Sequence, residues 1–349
     1  MSEFQSIQRI IVRMPNWLGD CVMATPILQD LRTRFPHAKI TAMCQNSIGG
    51  LLLQDPNIDA IFSFKKPNGW IHRKQHNDII EPIRLEKYDL GILLTNSFSS
   101  AWWFLRGKVK QRIGFEGNFR SYLLSKAIPF PKNVETQHLV DTYKDLLQPL
   151  GIPHSTTAPH LYVNEEERSH ARDLLVRCGW NPQKHCLVGI NPGAAYGTAK
   201  CWLPDRFKAL TEKLLSDPRM FVVFFGDASG SPLVESICEG FPERVLNLAG
   251  KTTLRELLAL IALCEAFLTN DSGPMHIAAA LGTPLVALFG STSDVKTGPY
   301  GDGPKVVIHK RVECSPCYKR VCPIDFRCMK RIETDEVYDA ILSVRQHKC

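Results

Sequence analysis

The chain has 349 residues, 44% hydrophobic and 22% charged, with a formal net charge of +7. That length exceeds what one hydrophobic core commonly serves, so two domains are expected, and the composition is that of an ordinary soluble globular protein. The basic residues are scattered, which argues against nucleic-acid binding, while a shallow basic face stays compatible with anionic headgroups or a phosphorylated substrate. No signal peptide precedes the first strand and no apolar run approaches the ~20 residues of a membrane span, so a cytoplasmic protein is expected, with at most peripheral contact with a membrane surface. Twelve cysteines in that compartment argue against a disulfide scaffold. Eight of them (Cys21, Cys44, Cys178, Cys186, Cys201, Cys238, Cys264 and Cys349) are scattered and read as inert.

Gln8 to Met14 reads as a strand, followed by a turn at residues 15–20 and a helix over Cys21 to Phe35. Pro26 inside that helix predicts a kink or a delayed start. Lys39 to Met43 and Ala60 to Phe64 read as strands around a helix at Ile48 to Gln54. A helix at Ile79 to Lys87, a buried strand at Tyr88 to Thr95 and a polar turn at Asn96 to Ser100 follow. A helix from Gln137 to Leu150 closes this run, and Glu165 to Val176 reads as a connecting helix.

A second alternation begins at Cys186. Strands are predicted at 186–191, 220–225, 245–248, 266–269, 284–289 and 305–309, with helices at 204–216, 232–239, 254–264, 274–281 and 334–345. Such alternation predicts doubly wound parallel sheets, hence two Rossmann-like α/β domains facing a central cleft. No G-x-G-x-x-G follows a strand, which disfavours a dinucleotide cofactor.

The chemistry-bearing residues fall at strand ends. Gly19-Asp20 follows the first strand; Asp20 is either a helix cap or a general base for an incoming hydroxyl, and Gly19 permits close approach. Residues 191–200 (NPGAAYGTAK) follow the first strand of the second half. Their small residues and Lys200 could cradle a diphosphate, or Lys200 could be a solvated surface charge. Asn270-Asp271-Ser272-Gly273 links a strand to a helix whose N-terminus suits phosphate, although Asp271 could equally be a local cap. His276, one turn into that helix, is either a core residue or part of the same site.

The order of Met14-Pro15-Asn16-Trp17-Leu18-Gly19-Asp20 with Ala24-Thr25-Pro26, Asn191-Pro192-Gly193 with Lys200 and Trp202, and Asn270-Asp271-Ser272-Gly273 with Met275-His276 resembles glycosyltransferase family 9, the ADP-heptose:lipopolysaccharide heptosyltransferases. The N-terminal pattern and Arg112-Ile113-Gly114-Phe115 are most similar to the heptosyltransferase II type. The resemblance implies a GT-B fold with an acceptor-binding N-terminal domain (1–165), a nucleotide-sugar-binding C-terminal domain (166–332) and a final segment (333–349) packing back toward the first domain. It implies an inverting, metal-independent transferase without a cofactor, moving L-glycero-D-manno-heptose from ADP-heptose to the inner core of lipopolysaccharide.

By motif match Asp20 is the base, and Lys200 with the Ser272 and Gly273 amides holds the diphosphate. Asp271 contacts the donor sugar, and His276, Gly193 and Thr198 support the site. Adenine is expected near Leu248 to Thr252, with Asp227 or Glu235 on the ribose. Asn96, Ser97, Arg112 and Arg120 are the acceptor candidates, arginine being suited to phosphate, though each arginine could also be solvated. Where relatives place hydroxyl ligands before the lysine, this chain has Ala195 and Tyr196.

Cys314, Cys317, Cys322 and Cys328 lie within one loop at a spacing that fits no standard zinc finger, leaving either a bound metal or packed thiols. The basic residues of that loop could face an anionic acceptor or membrane surface, or be solvated. A family 9 transferase with another donor, a nucleotide-sugar epimerase on the same fold, and a nucleotide-sugar-binding or metal-thiolate sensor are the competing readings.

Overall fold

The computed structural model describes residues 7–69, 72–241 and 243–345. It divides into two units, Met1–Leu161 and Tyr162–Cys349. The first runs β1 (Arg9–Arg13), α1 (Leu18–Met23), α2 (Thr25–Arg34), β2 (Lys39–Gln45), α3 (Asn46–Gly49), β3 (Ala60–Phe64), α4 (Arg73–Glu86), β4 (Leu90–Leu93), α5 (Phe98–Arg106), β5 (Gln111–Phe115), β6 (Lys126–Ile128) and α6 (Leu139–Asp145). Its six strands are all parallel in the order β3-β2-β1-β4-β5-β6. Ile10, Ile11, Val12, Leu90 and Ile92 are fully buried, as continuous apolar runs in a doubly covered sheet must be.

The expected disturbance at Pro26 is a break. α1 ends at Met23, and α2 restarts at Thr25 with the proline in its first turn, where no intrahelical N–H is lost. α4 begins earlier than expected, and β6, too short and polar to stand out in the sequence, pairs with β5.

The second unit runs α7 (Glu165–Arg177), β7 (Cys186–Asn191), α8 (Pro204–Leu215), β8 (Met220–Phe224), α9 (Ser231–Cys238), β9 (Val245–Asn247), α10 (Leu254–Leu263), β10 (Ala266–Asn270), α11 (Gly273–Ala280), β11 (Leu285–Phe289), α12 (Asp294–Thr297), β12 (Lys305–His309), α13 (Arg327–Lys330) and α14 (Thr334–Arg345). Its sheet order, β12-β11-β10-β7-β8-β9, repeats the winding of the first. In both sheets the order reverses between the first and fourth strands, β1/β4 and β7/β10. The loops leaving those strands are where an open α/β sheet binds ligands.

Two expectations about organisation change. The helix read as a connector, α7, belongs to the second unit: Asn164 and Glu167 form its capping box, Arg255 of α10 pairs with Glu167, and α7 packs along α10. α14, expected to return toward the first half, inserts Val337, Ile341 and Val344 into the second unit's own core beside Trp202 and Leu288. Each such buried aliphatic side chain is worth about 1.5–3 kcal/mol. Among the described residues no helix is long and apolar enough to cross a membrane.

Candidate functional site

In the second unit, two buried asparagines build the switch point. Asn270, at the end of β10, donates from Nδ2 to the Pro192 carbonyl (2.7 Å) and accepts the Trp202 backbone N–H on Oδ1 (3.0 Å). Asn191, at the end of β7, donates to the Gly193 carbonyl (3.0 Å) and reaches the hydroxyls of Thr269 and Ser272. Both ends of the 192–202 segment are thereby pinned to neighbouring strand ends. The Trp202 indole closes the far end, donating to the Ile332 carbonyl and packing edge-on to Phe207.

That pinning brings Lys200 to Asp271. Nζ lies 2.5 Å from Asp271 Oδ2, and the same oxygen accepts the Thr292 hydroxyl (2.5 Å) from the loop after β11. Only 14% of the lysine side chain and 4% of the aspartate are accessible, so this is a sheltered ion pair. The sequence separated these two residues into a diphosphate ligand and a sugar ligand. The fold joins them, and it adds Thr292, which had no distinguishing motif.

Ser272 stands at the N-cap of α11, as expected, but does not cap it with its side chain. Its hydroxyl turns to Thr269 Oγ1 (2.9 Å) and to Asn191. Ser272 therefore gives the first turn of α11 no side-chain acceptor. Pro274 has no N–H and Met275 N–H donates to the Ser272 carbonyl, which leaves the helix start itself as the feature that favours an anion. Gly273 opens the helix and His276 is buried within it.

Gly193 is half-buried in the pinned segment, and Thr198 is exposed in a tight turn ending at Lys200. Thr252 is half-buried just before Thr253, the N-cap of α10. Asp227 bonds to its own turn through Ser229 and Gly230, and Glu235 accepts the Ser231 hydroxyl.

The loop carrying the four clustered cysteines lies against this segment. Tyr196 donates its hydroxyl to the Tyr318 carbonyl (2.8 Å), and Ala199 N–H donates to the Arg320 carbonyl (3.0 Å). Gly197 (φ +153°) packs so tightly on that carbonyl that any Cβ would collide with it. Cys314, Cys317, Cys322 and Cys328 are all unbridged, and among the described residues no group of three or more His, Cys, Asp or Glu side chains is placed to hold a metal ion. Cys349 lies outside the described residues.

In the first unit, Gly19 is buried and Asp20 is half-buried in the first turn of α1, directly after β1. Beside it lies the enclosed Tyr143 of α6, whose phenol is pushed well up by burial first and by the Asp20 and Cys21 charges next. Beneath the turn, Arg13 is buried over the Phe64 ring (4.7 Å). It donates to the Met14 carbonyl and to Asn16 Oδ1 (2.5 Å), and burial draws its pKa down to about 10. An arginine ending an otherwise apolar strand was the available signal for this buttress.

The acceptor candidates need correction. Arg120 has no accessible surface; its guanidinium donates to the carbonyls of Thr95 and Phe115 and to Asn96 Oδ1. Arg112 is likewise engaged with the carbonyls of Leu123, Val109 and Lys110. Both arginines stitch loops together and present no fork to a phosphate. Asn96 is held by Arg120 and Asn118, and Ser97 caps α5 by accepting Ser100 N–H. These residues shape the β4 switch-point loop.

The same carboxyl edge exposes aromatic rings. Phe119 is 90% accessible, displayed by three consecutive positive-φ residues, 117–119; Tyr122 is 73% accessible beside Phe98, and Trp17 is 56% accessible. Lys65, Lys66 and Lys132, all exposed, follow strands β3 and β6 at this edge.

The solved ADP-heptose lipopolysaccharide heptosyltransferase II of E. coli superposes with a TM-score of 0.83 at 27% identity, over 98% of this chain and 99% of that one. A family 9 glycosyl transferase from Veillonella parvula superposes with a TM-score of 0.86 at 24% identity, over 97% of each chain. Two sheets wound in this way, each with its candidate residues at the switch point, define the GT-B class of glycosyltransferase. The sequence profile of glycosyltransferase family 9 (heptosyltransferase) matches residues 77–326. Lipooligosaccharide heptosyltransferase 2 of Haemophilus influenzae is 32% identical over 311 residues, which is 85% of this chain and 88% of that protein. The chain belongs to glycosyltransferase family 9.

Proposed function

We infer that this protein is an inverting heptosyltransferase of the heptosyltransferase II type, moving L-glycero-D-manno-heptose from ADP-heptose to the inner core of lipopolysaccharide. The observation that carries the reading is the β7/β10 switch point. There a sheltered lysine–aspartate pair adjoins a helix start whose N–H groups have no side-chain cap. The family membership and the heptosyltransferase relatives supply the sugar.

In this reading the second unit binds the donor. Lys200 and the amides of Ser272 and Gly273 hold the diphosphate, with Asp271 toward the sugar. Gly193, Thr198, Thr252 and His276 line the surroundings. The first unit takes the acceptor, and Asp20 accepts the proton of the attacking hydroxyl as the new bond to the anomeric carbon forms. The bond from that carbon to the β-phosphate oxygen breaks, and ADP leaves. Negative charge grows on the diphosphate while the sugar becomes oxocarbenium-like, so fixed donors and cations on the leaving group lower the barrier without a metal.

An acceptor of this class is anchored in a bilayer. The exposed aromatics and lysines at the carboxyl edge of the first sheet support a peripheral stance at the cytoplasmic face of the inner membrane. The test is turnover with ADP-heptose and a heptosylated inner-core acceptor. Asp20→Asn should bind the donor as the parent does and lose turnover by about 10²–10⁴-fold. A variant that still turned over at the parental rate would remove Asp20 from the chemistry.

A further inference from the structure

The donor reading leaves a charge unbalanced. A departing nucleoside diphosphate carries more than one negative charge, yet Lys200 is tied to Asp271, and that pair is neutral as a unit. Further positive charge has to come from elsewhere on the same rim. The helix start of α11 supplies a partial charge only.

We propose that Arg320, carried by the cysteine loop, is the second and uncompensated cation of the donor site, held beside Lys200 by the ring of Tyr196 and directed at the diphosphate. This rests on the donor reading of that site. Both cations pack on one aromatic ring: Lys200 Nζ lies 4.9 Å and Arg320 Cζ 5.4 Å from the Tyr196 centroid. Each contact is the attraction of a cation for a π-system, and together they place both cations around one ring. Lys200 is already matched by Asp271, so the Arg320 charge is the one left for an arriving anion, and the diphosphate is that anion.

The backbone supports the assignment independently of the side chains. The Arg320 carbonyl accepts Ala199 N–H (3.0 Å) and closes over Gly197, while Tyr196 is tethered to the Tyr318 carbonyl. Residue 320 is thus fastened to the turn that ends in Lys200 and must move with it. Its guanidinium is exposed, and among the described residues it has no carboxylate partner, unlike Lys200, Arg255 and Arg311. An arginine fork there can engage two phosphate oxygens at once. Tyr196 is the positioning residue, its ring shared by both cations.

The test is calorimetric titration of the full chain with ADP and with adenosine, at low salt. Arg320→Gln should weaken ADP about tenfold, the loss of one charge-assisted contact, and leave adenosine unchanged. Arg320→Lys should recover part of the affinity. Tyr196→Leu should weaken ADP as Arg320→Gln does, whereas Tyr196→Phe, which keeps the ring, should stay near the parent. Matching thermal melts would show the exposed variants to be folded. Arg320→Gln binding ADP within about twofold of the parent, while Lys200→Gln binds poorly, would overturn the role of Arg320 and leave the donor reading standing. Failure of the parent itself to bind ADP would overturn the donor reading, and this proposal with it.

Discussion

Asp271 accepts Lys200 and Thr292 on one carboxylate oxygen, and that arrangement decides how substitutions there should behave. Removing the aspartate leaves a sheltered ammonium without its counter-ion, so Asp271→Ala should cost about 3 kcal/mol of stability, read from denaturant midpoints. Thr292→Val deletes one hydrogen bond to a charged group and should cost about 1.5–3 kcal/mol. If both variants melted like the parent, the pair would be a surface feature and not a sheltered one. Asp20 was legible as a candidate, and so were Lys200 and Asp271, because loops leaving apolar parallel strands lie on the ligand-binding edge. Their pairing was not, because positions 71 residues apart in the chain meet only through the β7–β10 register. The arginines were misjudged for a related reason. Arg112 and Arg120 look like phosphate ligands by type, and only tertiary structure shows their forks filled by carbonyl oxygens.

The parallel strands with unbroken apolar runs were readable at the level of elements, as was the restart of helix at Pro26. β6 and the allegiance of α7 and α14 were not, since they depend on which surface covers which face. α7 offers a pH test. The Arg255 guanidinium holds the Glu167 carboxyl below the usual carboxylate range. A depressed carboxylate stabilises the fold above its ordinary pKa of about 4.3, and the benefit fades as the pH falls toward the folded value. The stability gap between the parent and Glu167→Gln should therefore be open at about pH 7 and narrow by about pH 4, as measured by urea midpoints. A gap that widened in acid would contradict the pairing. Asn270 bridges three segments, and Asn270→Ala should orphan the Pro192 carbonyl and the Trp202 N–H, costing about 1–3 kcal/mol. The same variant should raise the donor KM, because the Lys200 segment loses its pin.

For the whole molecule, two sheets of one winding divide the labour proposed here, and their carboxyl edges differ in what they display. The first sheet's edge carries Trp17, Phe119 and Tyr122 with exposed lysines, which should confer adhesion to anionic bilayers. Sedimentation with vesicles containing phosphatidylglycerol should capture the parent at low salt, and Phe119→Ser with Tyr122→Ser should reduce that capture. Equal capture of both proteins would assign adhesion to another face. The second sheet's edge should make the protein respond to its donor: ADP at about a hundredfold over its Kd should add about 2.7 kcal/mol of stability.

The most direct measurement is a stoichiometric transfer assay in EDTA, offering ADP-heptose, UDP-sugars and GDP-sugars in parallel with a heptosylated inner-core acceptor. The expected result is one ADP released for each heptose added, only with the ADP donor, and none with Lys200→Gln. Transfer from a UDP- or GDP-sugar in place of ADP-heptose, or turnover that vanishes in the chelator, would contradict the account.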